Sequence, residues 1–151
     1  MISIRRVLPK EANTLTQIAI AAKAYWGYPE RWMELWKPQL TFYPEYFEEN
    51  ESWVAEIDDT SIAFYTLLER DGGAWIENLW VSPEFIGKGV GKSLFLHALE
   101  QSRQRGYKSM QLEADPNALG FYEKMGMNKI GERVSEVEGQ PRVLPIMELQ
   151  L

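Results

Sequence analysis

Five of the six residues from position 87 to 92 are glycine or lysine: Gly87, Lys88, Gly89, Gly91 and Lys92, with Val90 between them. Glycines let a main chain approach an anion with no Cβ in the way, and Lys88 and Lys92 add formal positive charge. The run follows an apolar stretch that reads as a strand over 75–81. It precedes Leu94, Phe95, Ala98 and Leu99, which recur at helical spacing. Strand, glycine turn and helix aim free N–H groups outward, because the first N–H groups of a helix lack intrahelical partners and the helix dipole adds partial positive charge there. The chemistry this predicts is the holding of a phosphate.

Spacing separates the glycine-rich phosphate loops that compete for this turn. A P-loop has a glycine, four residues, then Gly-Lys-Ser/Thr. Gly91, Lys92 and Ser93 supply the end, but Ile86 stands where the first glycine belongs. A dinucleotide G-x-G-x-x-G starting at Gly87 would need glycine at 92, where the chain has Lys92. What remains is Ile86-Gly87-Lys88-Gly89-Val90-Gly91, which resembles the acyl-CoA pyrophosphate loop of the GNAT family of N-acetyltransferases, Q/R-x-x-G-x-G/A. Ile86 departs from that pattern, so the backbone donors are kept while one side-chain donor or positive charge is lost.

A second stretch carries the same resemblance. Residues 115–127, DPNALGFYEKMGM, are similar to the family's short helix N-x(n)-Y-E-K-x-G-F, with Met127 in the place of Phe. The resemblance implies acetyl-CoA as co-substrate, with residues 87–92 (Val90 included) cradling its pyrophosphate. It also implies that Leu79, Trp80 and Val81 serve CoA through main-chain groups. Asn117 matches the family's asparagine, expected to bond the CoA chain, although Asp115 to Asn117 would equally suit a helix N-cap. Tyr122 matches the tyrosine that protonates the departing thiolate; the alternative is a core aromatic with a satisfied hydroxyl. The family usually transfers the acyl group directly in one ternary complex.

Three further positions bear on the acceptor. Glu77 shares a strand face with Trp75, Leu79 and Val81 by two-residue alternation. A carboxylate among apolar neighbours could have a raised pKa and accept the amine's proton, or it could bind a cationic acceptor. Tyr25, Trp26, Tyr28, Trp32, Trp36, Phe42 and Tyr43 fall in the region that walls the acceptor pocket in similar proteins. Those at helical spacing read as core; Tyr28 and Tyr43, at breaks, are the pocket candidates. His97, the single histidine, has no Cys or His beside it, so no metal site is expected. Glu45, Glu48, Glu49 and Glu51 read as a solvated face.

The elements that must position these residues fit one domain spanning 1–151. Strands are expected over 2–7, 52–57, 61–68, 75–81, 108–113, 128–134 and 143–149. Helices are expected before residue 24, from Pro29 until Pro38 kinks or ends it, over 90–105 and over 117–125. This is an α/β chain, and the resemblance implies a mixed, mostly antiparallel sheet layered by helices. It further implies a V-shaped opening between the strands at 75–81 and 108–113. A net charge of −6 disfavours nucleic acid and anionic membranes as partners. No apolar run approaches a membrane span. Zero cysteines exclude disulfides and a thiol nucleophile, so a cytoplasmic protein is expected. The activity expected is acetyl transfer to a small-molecule or peptidyl primary amine. A noncatalytic acyl-CoA-binding or sensor domain of the same fold is the alternative, and a nucleotide hydrolase a distant third. The acceptor's identity and the oligomeric state, a homodimer included, are left open.

Overall fold

The computed structural model describes residues 1–151. The chain forms seven strands and five helices in the order β1 Ser3–Arg6, α1 Ala12–Ala24, α2 Glu30–Leu40, α3 Pro44–Glu49, β2 Glu51–Ile57, β3 Thr60–Arg70, β4 Gly73–Val81, α4 Val90–Gln104, β5 Ser109–Glu113, α5 Leu119–Lys124, β6 Asn128–Val137 and β7 Gln140–Gln150. The strands form one sheet in the order β1-β2-β3-β4-β5-β7-β6. It is mixed: β1–β2, β2–β3, β5–β7 and β6–β7 are antiparallel, whereas β4 and β5 run parallel through Ala74↔Met110, Trp75↔Gln111 and Ile76↔Leu112. No helix is long and apolar enough to cross a membrane. Two compact units divide the chain, residues 1–67 with 78–94 and residues 68–77 with 95–151.

In the first unit, α1 buries Ala12, Leu15, Thr16, Ile18, Ala19 and Ala22, a helical stripe facing a core that includes Phe42, Phe47, Val54 and Phe64. Thr16 ties this helix to the segment after α2: its hydroxyl accepts from the Phe42 N–H at 2.8 Å and donates to the Phe42 carbonyl at 3.3 Å. Pro38 does not end α2, which continues to Leu40; the Pro38 carbonyl still accepts from the Thr41 N–H at 3.4 Å. A proline that close to a C-terminus disrupts little, because few turns follow it. β2 and β3 are joined by Asp58 and Asp59 at φ 50° and 63°, the paired left-handed conformation of a tight hairpin. Arg5 on β1 holds Glu11 through two hydrogen bonds, 3.0 and 2.7 Å, and also pairs with Glu56 on β2 at 3.2 Å.

The second unit packs Phe95, Ala98 and Leu99 of α4 with other buried residues, among them Met110 and Leu112 of β5, Met127, and Leu144 and Met147 of β7. β6 and β7 run further than the sequence suggests. They meet at a two-residue turn, Glu138 at φ 50° and Gly139 at φ 78°, so Gln140 and Pro141 belong to the strand and not to a loop. Pro145 also lies within β7, and its carbonyl accepts from the Ala114 N–H at 2.9 Å. The helix expected over 117–125 is a 3-10 turn, Pro116–Ala118, followed by the shorter α5.

Candidate active site

The site residues fall into both units. In the first, β4 delivers Leu79, Trp80 and Val81, all half-buried, to a 3-10 turn at Pro83–Phe85. Ile86 then leaves that turn extended, at φ −67° and ψ 137°. Gly87 and Gly89 take φ values of 81° and 83°, which fold the chain back into α4 at the buried Val90. These are left-handed conformations that an L side chain adopts only with strain. A Cβ at either glycine would meet nothing within 4 Å, so the turn is open on that side. The first helical bond runs from the Ser93 N–H to the Gly89 carbonyl at 3.0 Å. The N–H groups of Val90, Gly91 and Lys92 precede it and are the helix's free donors. Lys88 and Lys92 are exposed, with the Lys88 ammonium 5.5 Å above the Phe85 ring. The residues expected to hold a phosphate thus form one continuous turn that leads into the N-terminus of α4.

β4 also carries a polar chain that sequence reasoning missed. The Asn78 amide donates to the Tyr46 hydroxyl at 3.1 Å and to Thr66 Oγ1 at 3.4 Å, and its oxygen accepts from Trp80 Nε1 at 3.2 Å. Thr66, fully buried, also shares a 2.8 Å hydrogen bond with Ser52. In an apolar setting such a chain holds side chains in one arrangement, since breaking a link strands a buried polar group. No local pattern announces it, because the partners come from four elements.

The aromatic region is not one wall. Tyr28 is half-buried and lies with Trp32 and Trp36 at centroid separations of 6.1 and 4.9 Å. Trp32 and Trp36, one turn apart on α2, are 5.8 Å from each other. The Lys23 ammonium sits over Trp36 at 4.5 Å and over Tyr28 at 5.2 Å. Trp32 and Trp36 are half-buried, and Trp36 packs against the core of the first unit, as its helical spacing suggests. Tyr43 is 64% exposed and serves as the residue before α3, its carbonyl accepting from the Tyr46 N–H at 3.0 Å.

In the second unit, Tyr122 on α5 is 7% exposed, its ring edge-on to Phe121 at 5.1 Å and tilted to Phe95 at 6.4 Å. Burial, and after it the negative charge of Asp115, pushes the Tyr122 hydroxyl above the usual tyrosine range. It therefore stays protonated at neutral pH. Asp115 caps the 3-10 turn, accepting from the Asn117 N–H at 2.9 Å and the Asn117 amide at 3.0 Å, and pairs with Arg142 at 3.2 Å. The cap is Asp115; Asn117 is exposed beside it.

Glu77 does not sit among apolar neighbours alone. It is exposed and pairs with Arg70 at 3.3 Å, while the Arg70 guanidinium lies 4.1 Å from the centroid of the Trp75 ring. The alternation that put Glu77 on the face of Trp75 is right. What it missed is Arg70, near the end of β3, which covers that face. Glu77, Arg70, Trp75, Ile76, Glu113 and Arg133 line a cavity of about 380 Å³. Arg133 pairs there with Glu113 at 2.8 Å. No group of three His, Asp or Glu residues is placed to hold a metal.

Residues 18–127 match the sequence model of the acetyltransferase (GNAT) family. The chain belongs to the GNAT acetyltransferase family. Among relatives, the peptidyl-lysine N-acetyltransferase YjaB of Salmonella typhimurium is 29% identical over 150 residues, 99% of this chain and 97% of its own. The GNAT fold recurs in solved structures. A GCN5-related N-acetyltransferase from Rhodopseudomonas palustris superposes with a TM-score of 0.82 at 20% identity, over 99% of this chain and 95% of its own. PaiA N-acetyltransferase from Thermoplasma acidophilum, solved with coenzyme A, gives 0.79 at 24% identity, over 100% and 99%. The mixed sheet with helical layers described above is thus the GNAT fold, and the glycine turn lies within the matched family region.

Proposed function

We propose that this GNAT-family chain moves the acetyl group of acetyl-CoA to a primary amine by direct transfer in a ternary complex. The observation that carries the reading is the turn at 87–92. Two left-handed glycines present the unbonded N–H groups of α4 to an anion, with Lys88 and Lys92 alongside. In this reading the CoA pyrophosphate rests there, main-chain groups of Leu79, Trp80 and Val81 bond the pantetheine arm, and Asn117 bonds the CoA chain.

The neutral amine nitrogen attacks the thioester carbonyl, the C–N bond forms and the C–S bond breaks. The acceptor, an ammonium in water, loses one proton before it attacks and a second as the amide forms, and the departing thiolate takes one. Tyr122, a protonated donor, supplies the thiolate's proton; Glu77 accepts the amine's, directly or through the water that its exposure admits. The Salmonella relative, a peptidyl-lysine N-acetyltransferase, supports a lysine side chain as the acceptor class. The absence of cysteine suits the reducing cytoplasm as the place of action.

Free-thiol release from acetyl-CoA, read against a panel of amines that includes lysine peptides, tests the proposal. Turnover with at least one amine is expected. Ile86, where the family motif carries a Gln or Arg, favours the second reading, a noncatalytic acyl-CoA-binding domain. CoA binding with no thiol release on any amine would establish that reading instead.

A further inference from the structure

Two aromatic rings, Tyr28 and Trp36, face an ammonium at the end of α1, and a third, Trp32, packs against both of them. Lys23, in the last turn of α1, turns its ammonium toward Trp36 and Tyr28 at 4.5 and 5.2 Å, although a lysine at a helix end is free to extend into water. Tyr28 and Trp36 meet at 90°, and Trp32 and Trp36 at 66°, so the rings present differently directed faces and edges instead of a flat stack. All four residues are half-buried, which limits the water that competes with the ring quadrupoles.

We propose that Tyr28, Trp32 and Trp36 form a binding site for an alkylammonium group, held by Lys23 in the free protein and yielded to the ammonium of the acceptor. The first half rests on the ring geometry. The second rests on the acetyltransferase reading above. Lys23 is an internal copy of the ligand: a primary ammonium on four methylenes. An acceptor ending in the same group meets the same rings, and the flexible lysine stem lets the resident leave without moving α1. The site collects the charged amine, before the proton loss that transfer requires. A neutral alcohol of the same length gains nothing from the ring quadrupoles and is rejected.

The test uses the whole chain without acetyl-CoA. n-Butylammonium and n-butanol are titrated separately while the indole N–H signals of the tryptophans are followed by NMR. Butylammonium should shift the Trp32 and Trp36 signals saturably, and n-butanol should not. In Lys23→Met, which keeps the stem and removes the charge, butylammonium should bind on the order of tenfold more tightly, because the resident cation is gone. Trp36→Leu should abolish the shift at Trp32, and Trp36→Phe, which retains a ring should the leucine variant fold poorly, should keep part of the affinity.

No saturable response in Lys23→Met, or equal responses to the amine and the alcohol, overturns the ammonium site. The acceptor half is read separately, from KM for a lysine peptide. It should rise in Trp36→Phe and fall in Lys23→Met, and unchanged KM in both overturns it. Ammonium binding intact in a protein that acetylates no amine would remove the acetyltransferase reading and the acceptor half while leaving the ammonium site standing.

Discussion

Tyr122→Phe removes one oxygen and keeps the ring. Because that ring is 7% exposed and packed on Phe121 and Phe95, its burial survives the change, and the fold should lose no more than about 1 kcal/mol. The catalytic loss is set by the hydroxyl's acidity. Burial and the charge of Asp115 hold it above the usual tyrosine range, whereas a thiol ionises near about 8.5. Proton transfer from Tyr122 to the thiolate is therefore uphill, and the hydroxyl is a weak general acid that hydrogen-bonds the sulfur as the C–S bond lengthens and gives up its proton late. That places the loss in kcat at the low end of the usual range for general acids, about 10²-fold or about 2.7 kcal/mol, with CoA affinity retained. The shift also has a stability consequence. Below the ordinary tyrosine value of 10.0 the hydroxyl is protonated in folded and unfolded chains alike. Above it the unfolded chain ionises first, so wild type loses stability until the native hydroxyl ionises too. The phenylalanine variant should lack that part of the alkaline decline. Steady-state kinetics across pH, calorimetry with CoA and denaturant melts at alkaline pH read all three effects. Wild-type kcat at every pH would refute the assignment and leave Tyr122 a packing residue.

Gly89→Asp puts a carboxylate beside the phosphate site at φ 83°, a strained position for an L side chain, but Asp tolerates positive φ better than most residues and does so in this chain at Asp58, Asp59 and Asp71, at φ 50–63°. The fold should therefore persist while calorimetry shows CoA binding weakened on the order of tenfold or more, against no more than about fivefold for the exposed Lys88→Ala. Unchanged affinity in a folded Gly89→Asp would remove the turn as the CoA site. Glu77→Gln should lower kcat at neutral pH and recover toward high pH, where the amine is already neutral; a rise in KM alone would make Glu77 a ligand for the acceptor's charge instead. Burial works to raise the Glu11 carboxyl's pKa, but Arg5 and the Leu8 N–H outweigh it and hold the group low, so its stabilisation is present above the unfolded value and fades as pH falls through the folded one. Glu11→Gln should cost about 1–3 kcal/mol at pH 7 and progressively less in acid, as urea melts at the two pH values would report; a constant difference would contradict the charge argument.

Features written in short spans of sequence were legible. The strand, glycine turn and helix around residues 87–92, and the Asp58-Asp59 hairpin, depend on neighbours in the chain, and composition exposes such features. The structure differs where a distant partner decides. Gln140 and Pro141 look like a loop, yet β6 extends alongside them and makes them strand. Arg70 on β3 changes the surroundings of Glu77 on β4, and neither residue's own segment signals the pairing. The N-cap expected from Asp115 to Asn117 is Asp115, and the helix expected over 117–125 is a 3-10 turn followed by the shorter α5. Trp32 and Trp36 carry the i, i+4 spacing of a packed stripe. Trp36 does pack on the core of the first unit, but the approach of Lys23 from α1 to its ring is a contact that no helical spacing announces.

The most direct test of the central claim follows the acetyl group itself. Isotopically labelled acetyl-CoA is mixed with the protein, first alone and then with a lysine peptide, and every species is weighed by mass spectrometry while free thiol is counted. The account predicts no label on the protein when no amine is present. With the peptide, one labelled acetyl group should appear on an amine nitrogen for each thiol released. Label accumulating on the protein and then passing to the amine would contradict direct transfer, and bound CoA with no labelled product on any amine would contradict catalysis itself.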